Sequence, residues 1–253
     1  MIQVIERFHR ILEHLSAAPD RPCQLGELAE LLNISAPAAA NIVRAMTELG
    51  YVRALGRRRG YLPGPALYAL GRGNPYLYLS SIARPEIERL AACCRELVVL
   101  VCECGGKRSE LLRMAGATEI TIRQPHPHGT FYNLFRCGTG ILLLAYMDEP
   151  RQRQLWEYWH GEDNILNLNE FNLFQARCRE IAAAGMFCSG DEPPPAASGT
   201  QRISIAFPIL QSGVPIAALG VLVPRKEFNS AGDSPALAAA RQCALNIGNL
   251  LEQ

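Results

Sequence analysis

Three consecutive arginines, Arg57 to Arg59, stand between two glycines, Gly56 and Gly60. The segments on either side, YVRAL and GYLPG, are short, partly apolar and suited to two antiparallel strands. Glycine adopts the positive backbone angles that tight hairpin turns need, so the two glycines predict a turn with the arginines at its tip. We therefore expect a small basic hairpin between residues 51 and 64.

Three amphipathic helices are predicted before this hairpin, because apolar residues recur at three- and four-residue spacing. The first contains Val4, Ile5, Phe8, Ile11, Leu12 and Leu15, the second Leu25, Leu28, Ala29, Leu31 and Leu32, and the third Ile42, Val43, Met46 and Leu49. Pro19 and Pro22 end the first helix. Asn33 ends the second, and Ser35 is a good N-cap for the third. Three helices followed by a basic hairpin are typical of a winged helix-turn-helix.

Charge is distributed unevenly along the chain. The formal net charge of all 253 residues is +1, but residues 1–72 contain nine arginines and six acidic residues, a surplus of three positive charges. Phosphate contacts come from one local surface and not from the average charge, so this surplus is compatible with DNA binding. We expect the arginines of the hairpin to lie along the phosphate backbone.

The third helix would present small side chains to the bases of DNA. Residues spaced by three share its outward face, and on that face asparagine can pair with adenine while alanine can contact a thymine methyl group. The predicted DNA-binding residues are Ser35, Ala38, Asn41, Arg44, Arg53, Arg57, Arg58 and Arg59. The alternative is a helix that only packs against its own domain, beside a solvated charged turn.

The second half of the chain predicts an α+β domain. After a helical stretch over residues 65–97, the predicted strands are LVVLVCEC, ELLRMA, EITIRQ, RISIAFPIL and PIAALGVLV, and the predicted helices are CGTGILLLAYM, 150–159, 169–184 and an alanine-rich segment at the end. EPPPAASG is a predicted loop, since consecutive prolines cannot join a sheet. We assign residues 1–72 to a DNA-binding domain, 73–84 to a linker helix and 85–253 to the second domain.

Several other classes of protein are not expected. The N-terminal segment MIQVIERFHRILEHL has charges where a signal peptide needs an apolar core, so we expect a cytoplasmic protein whose nine cysteines are reduced. The most apolar region, 203–223, is interrupted by Pro208 and Pro215 and predicts no membrane span. The sequence has no G-x-S-x-G, G-x-x-x-x-G-K or H-E-x-x-H motif, so we expect no enzyme and no catalytic residues.

The cysteines and histidines predict neither a metal site nor a cofactor. Cys102 and Cys104 share one face of a strand, and His126 and His128 occur together in QPHPHG. No CxxC pair occurs, and His126 and His128 do not have the H-x₃₋₅-H spacing, so burial of cysteine as a small apolar residue explains the pattern more simply. A redox-sensing thiol remains an open alternative.

Several strings resemble the IclR family of bacterial transcriptional regulators over nearly the full length of the chain. They are ELAELLNIS, IVRAMTELGYV, GYLPGPALYALG, CGTGILLLA, REIAAAGM and ISIAFPILQSGVPIAALGVLVP. The resemblance implies a GAF-like effector domain that binds a small molecule, commonly a carboxylate or an aromatic acid, and dimers or tetramers on palindromic operators. The chain departs from the family pattern at Asn41, where an arginine is usual, and at Ile141, where a lysine is usual.

The predicted ligand site centres on FYNLFRCGTG, where small residues precede an apolar helix and backbone amides could attract an anion. Arg136 could pair with a carboxylate if it faces inward, and the alternative is a tight packing elbow with Arg136 on the surface. The resemblance adds strand positions that line the pocket in relatives. The predicted ligand-binding residues are Cys102, Tyr132, Phe135, Arg136, Cys137, Gly138, Thr139, Cys188, Ser189, Asp191 and Ser204.

The sequence thus predicts a DNA-binding transcriptional regulator controlled by a small organic ligand. Its expected partners are operator DNA, the effector and a second copy of itself, with no membrane. We expect dimer contacts through the first helix and the linker, at Phe8, Ile11, Tyr76 and Tyr78. The alternative is a ligand- or thiol-responsive module without specific DNA recognition, which the alanine-rich third helix favours.

Overall fold

The computed structural model describes residues 2–116, 132–159, 165–166, 168–189, 202–224 and 235–252. The chain divides into two compact units, the first ending at Leu77 and the second beginning at Tyr78. Within the described ranges, no helix combines the length and apolarity that crossing a bilayer requires.

The first unit has the order of elements that the sequence predicts. Its elements are α1 (Gln3–Ala17), α2 (Leu25–Leu32), α3 (Ala36–Glu48), β1 (Val52–Ala54), β2 (Tyr61–Pro63) and α4 (Pro65–Gly71). The strands β1 and β2 pair antiparallel, with Arg53 opposite Leu62. A single apolar core joins the three helices to the hairpin through Ile11, Leu28, Val43 and Val52, which are all buried. The winged helix-turn-helix is confirmed.

Local sequence signals end and begin these helices. Asn33 adopts a left-handed conformation with φ of 51° and stops α2, and its backbone N–H bonds to carbonyls of the last turn. Ser35 begins α3, since its Oγ accepts a hydrogen bond from the N–H of Ala38 at 3.4 Å. The turn between α2 and α3 thus contains one residue that ends α2 and one that begins α3. These two caps fix the direction of α3 relative to α2.

The second unit is an antiparallel sheet with helices on both faces. Its elements are α5 (Pro75–Cys94), β3 (Val98–Cys104), β4 (Lys107–Met114), β5 (Tyr132–Asn133), a 3-10 turn (Leu134–Arg136), α6 (Gly138–Ala145), α7 (Glu149–Trp159), α8 (Phe171–Ala184), β6 (Phe187–Cys188), β7 (Arg202–Gln211), β8 (Val214–Pro224) and α9 (Pro235–Leu251). Among the described strands the order across the sheet is β5-β4-β3-β8-β7-β6. The predicted strand EITIRQ and the loop EPPPAASG lie outside the described residues.

The two faces of the sheet carry separate apolar cores. Alternate residues such as Leu100 and Leu219 face the core that includes α5 and α9, and we call this the α9 face. Their neighbours Val101 and Ala218 face the core that includes α6, α7 and α8, which we call the α6 face. Because successive side chains of a regular strand point to opposite sides, this alternation gives the face of each residue on β3 and on the paired part of β8.

The helix predicted as a linker over 73–84 is part of a longer one. The helix α5 continues to Cys94 and has Pro85 in its interior. Proline removes one backbone hydrogen bond, but Leu79, Ala83, Ile87 and Leu90 form one buried stripe across that position. Burial of this stripe against the sheet stabilises the helix through the proline, an outcome that local propensity does not predict.

Candidate nucleic-acid interface and ligand site

The helix α3 separates an inward apolar face from an exposed polar one. Ala39, Val43 and Met46 are buried. Asn41 and Arg44 are exposed, and the Arg44 guanidinium donates a hydrogen bond to Oδ1 of Asn41 at 3.1 Å. Of the other residues predicted on this face, Ser35 is exposed and Ala38 is partly buried. The exposed face is therefore small and flat, with one guanidinium beside one amide.

Three of the arginines of the hairpin lie at its tip. Arg57, Arg58 and Arg59 are exposed, as is Arg53 on β1. The tip is a tight turn in which Gly56 and Gly60 have φ of 104° and 87°, and Arg58 also adopts a left-handed conformation with φ of 63°. Three exposed arginines thus follow one another in a short turn, an arrangement suited to phosphate oxygens.

The base of the hairpin is attached to the loop between α1 and α2. The N–H of Cys23 donates to the carbonyl of Tyr61 at 3.0 Å, and the N–H of Tyr61 donates back to the carbonyl of Cys23 at 2.9 Å. A Cβ on Gly60 would lie 2.7 Å from the carbonyl oxygen of Cys23, so the close approach requires glycine. The hairpin is therefore held by the helical core as well as by its own two strands.

The glycines of FYNLFRCGTG serve close packing. A Cβ on Gly140 would lie 2.0 Å from the carbonyl oxygen of Leu134, and a Cβ on Gly138 would lie 2.5 Å from the Phe187 ring and 2.6 Å from Oγ of Ser204. The Asn133 Oδ1 accepts a hydrogen bond from the N–H of Phe135 at 2.8 Å and sets the 3-10 turn that leads into α6. The packing elbow considered as an alternative is what the structure contains.

Polar groups nevertheless gather where α6 begins. Thr139 is buried, and its Oγ1 lies 3.5 Å from the Cys137 sulfur. On the neighbouring strands, Oγ of Ser189 accepts a hydrogen bond from the N–H of Ser204 at 2.8 Å. Cys137, Gly138, Thr139, Ser189 and Ser204 therefore come together on the α6 face, as the prediction requires. Their role in ligand binding stays a prediction.

The strand β4 carries a charged cluster that the sequence did not predict. Arg108 is 3% exposed, and its Nε donates a hydrogen bond to Oγ1 of Thr139 at 3.0 Å. Its Nη2 lies 3.7 Å from a carboxylate oxygen of Glu110. Arg113 donates two hydrogen bonds of 2.7 Å to the same carboxylate. We call Arg108, Glu110 and Arg113 the β4 charge cluster, and its three side chains carry one net positive charge.

Three of the predicted ligand-binding residues do not face the group of polar side chains at the start of α6. Cys102 belongs to the α9 face, because it alternates with Val101 and follows Leu100 by two residues. Cys188 packs against the core of the α9 face, whereas its neighbour Phe187 belongs to the α6 face. Arg136 is exposed, because the 3-10 turn directs the adjacent Phe135 into the core instead.

The remaining predicted ligand-binding residues are Phe135, Tyr132 and Asp191. The Phe135 ring is fully buried in the core of the α6 face, 5.8 Å from the Trp156 ring and 5.2 Å from the Phe174 ring. The backbone of Tyr132 pairs with Arg108 in the sheet. Asp191, His126 and His128 lie outside the described residues.

The proposed dimer contacts also need correction. Ile11 is fully buried in the core of the first unit and cannot contact a partner. The Phe8 ring packs edge-on against Tyr51 with 4.9 Å between centroids. Tyr76 and Tyr78 are exposed, and so are Val4 and Ile5 at the start of α1. The apolar surface available for association is therefore shifted by about one turn along α1.

Comparison with known proteins supports the fold. Residues 9–60 match a family model described as MarR family. The whole chain is similar to a crystal structure of an IclR homolog from Microbacterium hydrocarbonoxydans complexed with 4-hydroxybenzoate, at 20% identity, with a TM-score of 0.76 and 98% of each chain covered. It is also similar to IclR of Thermotoga maritima, at 17% identity, with a TM-score of 0.64, 99% of this chain and 98% of that chain covered.

The chain has the fold of the IclR-family transcriptional regulators, a winged helix-turn-helix followed by an α+β domain. In sequence it is similar to the HTH-type transcriptional regulator TtgV of Pseudomonas putida, with 30% identity over 157 residues. The match spans 62% of this chain and 59% of the length of that regulator.

Proposed function

We propose that this chain is a cytoplasmic DNA-binding transcriptional regulator, not an enzyme, and that an aromatic carboxylic acid bound in its second unit controls it. The observation that carries the proposal is that two exposed surfaces occur in the first unit. The tip of the hairpin has three exposed arginines, and α3 has an exposed polar face. In winged helix-turn-helix proteins the second helix of the motif enters the major groove. TtgV, which the chain resembles, is an HTH-type transcriptional regulator.

The two parts of the interface would contribute differently to binding. Phosphate contacts supply most of the affinity and none of the direct base recognition, whereas base edges are recognised in the groove. Arg57, Arg58 and Arg59 would bind the phosphates. The face of α3 would fit closely into the groove, with Asn41 able to pair with adenine and Ala38 able to contact a thymine methyl group.

Binding to DNA from the promoter beside the chain's own gene tests this part of the proposal. Fluorescence anisotropy would compare that DNA with an unrelated duplex of equal length, and we expect preferential binding that Asn41→Ala reduces about tenfold. Arg153→Ala is the matched control, because Arg153 is an exposed arginine of the second unit paired with Glu149. Equal affinity for both duplexes would favour the alternative of a sensor without specific DNA recognition.

The β4 charge cluster supports an acidic ligand. A buried guanidinium beside the hydroxyl of Thr139 offers charge-assisted hydrogen bonds to a carboxylate, and such bonds are about twice as strong as neutral ones. The N-terminus of α6 adds backbone N–H groups that favour negative charge. Val99, Val101 and Phe187 line the same face of the sheet with apolar surface. The homolog from Microbacterium hydrocarbonoxydans is complexed with 4-hydroxybenzoate, which combines a carboxylate with an aromatic ring.

Calorimetric titration with 4-hydroxybenzoate and its uncharged amide tests the ligand class. We expect the acid to bind at least tenfold more tightly than the amide, because only the acid forms charge-assisted bonds. Tighter binding of the amide, or of a purely apolar aromatic compound, would reject a carboxylate-binding site while leaving DNA binding untouched.

Control by a ligand requires that it bind one arrangement of the protein more tightly than another. We propose that paired copies of the chain bind two operator half-sites and that the effector changes the spacing or orientation of their DNA-binding units. Exposed apolar residues at the start of α1 and Tyr78 on α5 would form the contact between copies. Light scattering should give twice the mass of one chain, and Tyr78→Glu should shift the equilibrium toward the monomer. A wild-type monomer at micromolar concentration would contradict this part.

A further inference from the structure

Three metal-binding side chains meet in the first unit, and none of them belongs to the predicted DNA-contacting residues. They are His14 on α1, Cys23 in the loop between α1 and α2, and Glu27 in the first turn of α2. One ligand atom from each lies within 4.8 Å of the other two. We propose that His14, Cys23 and Glu27 bind a Zn²⁺ ion. No short sequence motif marks this group, because its members come from three separate segments.

The donor atoms suit zinc better than other common ions. Zn²⁺ binds imidazole nitrogen, thiolate sulfur and carboxylate oxygen, whereas calcium and magnesium prefer oxygen alone. One thiolate and one carboxylate would neutralise the two charges of the ion. Ligand atoms around a tetrahedral zinc lie roughly 3.5 Å apart, so the three ligand atoms would need to close by at most about 1 Å. Both are only partly buried, and water could occupy a fourth position.

Neighbouring groups already hold the carboxylate in place. One oxygen of Glu27 accepts a hydrogen bond from the N–H of Gln24 at 3.0 Å, and the other accepts one from Arg21 at 2.8 Å. A carboxylate oxygen has two lone pairs, so each keeps one for a metal. Hydrogen bonds of this kind orient ligands and raise affinity at known metal sites.

The position of the site gives it a structural consequence. The backbone of Cys23 forms both hydrogen bonds to Tyr61 that attach the hairpin to the helices. An ion on Cys23 would therefore connect α1, α2 and the base of the hairpin at one point. Zinc should stabilise the first unit, because a ligand that binds only the folded state raises its stability. This inference does not depend on the chain being a DNA-binding regulator.

Cobalt titration of the full chain tests the proposal, because Co²⁺ replaces Zn²⁺ and its absorption reports thiolate ligation. The exposed Cys93 and Cys104 are first changed to serine to remove adventitious thiolates. We expect one Co²⁺ per chain with a sulfur-to-cobalt charge-transfer band that Zn²⁺ abolishes. Cys23→Ser should remove the band, and Cys137→Ser is the control that should leave it unchanged. Absence of the band, or its survival in Cys23→Ser, would overturn the proposal.

A second variant, Glu27→Gln, tests the proposal independently of whether Cys23→Ser folds. Glu27→Gln keeps the residue type that a helix-capping box accepts at this position, so it should fold as the wild type does without metal. We expect it to bind Co²⁺ at least tenfold more weakly and to lose most of the rise in melting temperature that Zn²⁺ gives the wild type. Wild-type affinity and wild-type stabilisation in Glu27→Gln would exclude the carboxylate as a ligand and reject the three-residue site.

Discussion

Arg108 on β4 and Thr139 at the start of α6 are joined by a buried hydrogen bond of 3.0 Å from the guanidinium Nε to the hydroxyl oxygen. The two residues are 31 positions apart in sequence. Their contact connects the charged strand to the small-residue elbow on the α6 face. It is the feature through which the ligand site can be tested most selectively.

Arg108→Gln is expected to weaken binding of 4-hydroxybenzoate by about tenfold to a hundredfold. A hydrogen bond to a charged group contributes about 1.5 to 3 kcal/mol, and glutamine keeps polarity without the charge. Calorimetry gives the affinity, and circular dichroism checks that the variant is folded. Arg136→Gln is the matched control with an expected affinity equal to that of the wild type, because Arg136 is exposed. If the two variants lose affinity equally, Arg108 is not the carboxylate ligand.

Gly140→Ala is expected to destabilise the second unit by about 1 to 3 kcal/mol, because its Cβ would overlap the carbonyl of Leu134 and force the elbow apart. Both tryptophans of the chain, Trp156 and Trp159, lie on α7, so their fluorescence during urea unfolding reports on this unit. Gly26→Ala, in contrast, is not expected to destabilise the protein. No atom lies within 4 Å of its added Cβ, and alanine favours the helix α2. Equal stability of Gly140→Ala and the wild type would contradict the tight packing of the elbow.

Alkaline pH is expected to destabilise the second unit through its buried thiols. Burial raises the pKa of Cys178 from 9.0 to about 12 and does the same for Cys243. Above pH 9 the unfolded thiols lose protons that the folded ones keep, so stability falls as pH rises toward 12. Each thiol should lower the free energy of unfolding by about 1 kcal/mol between about pH 8 and about pH 10.

The variant Cys178→Ala separates this effect from ordinary alkaline damage. It removes one ionising group, so its unfolding free energy, followed by tryptophan fluorescence, should depend less steeply on pH than that of the wild type. Its lower stability at neutral pH from the lost side chain does not matter, because only the slope is compared. An unchanged slope would show that the Cys178 thiol does not keep its proton in the folded protein.

Much of the fold follows from local patterns. Apolar spacing and capping residues such as Asn33 and Ser35 define the helices of the first unit, and glycines mark the turn of the basic hairpin. These signals depend on interactions within a few residues, so a sequence displays them directly. The exposed positions of Asn41, Arg44 and the hairpin arginines follow from the same periodicity.

The grouping of side chains at the proposed ligand site follows only in part from the sequence, because it depends on strand pairing. Cys102 and Cys188 lie on the α9 face, opposite the proposed site, and this assignment requires knowing which core each strand residue faces. The β4 charge cluster also depends on an irregularity in the pairing of β3 with β4. Between Leu100 and Val101 the register with β4 shifts by one residue, so Glu110 and Arg113, three apart, form a double hydrogen bond on one face. A regular strand would place them on opposite faces.

The salt dependence of DNA binding tests the central claim most directly. The claim is that Arg57, Arg58 and Arg59 bind phosphates while α3 makes the base contacts. The slope of log K against log salt concentration is about −0.9 for each neutralised phosphate. Changing all three arginines to alanine should therefore make the slope shallower by about 2 to 3, while the preference for the cognate duplex over unrelated DNA is kept. A slope equal to that of the wild type would show that the hairpin does not contact the phosphate backbone.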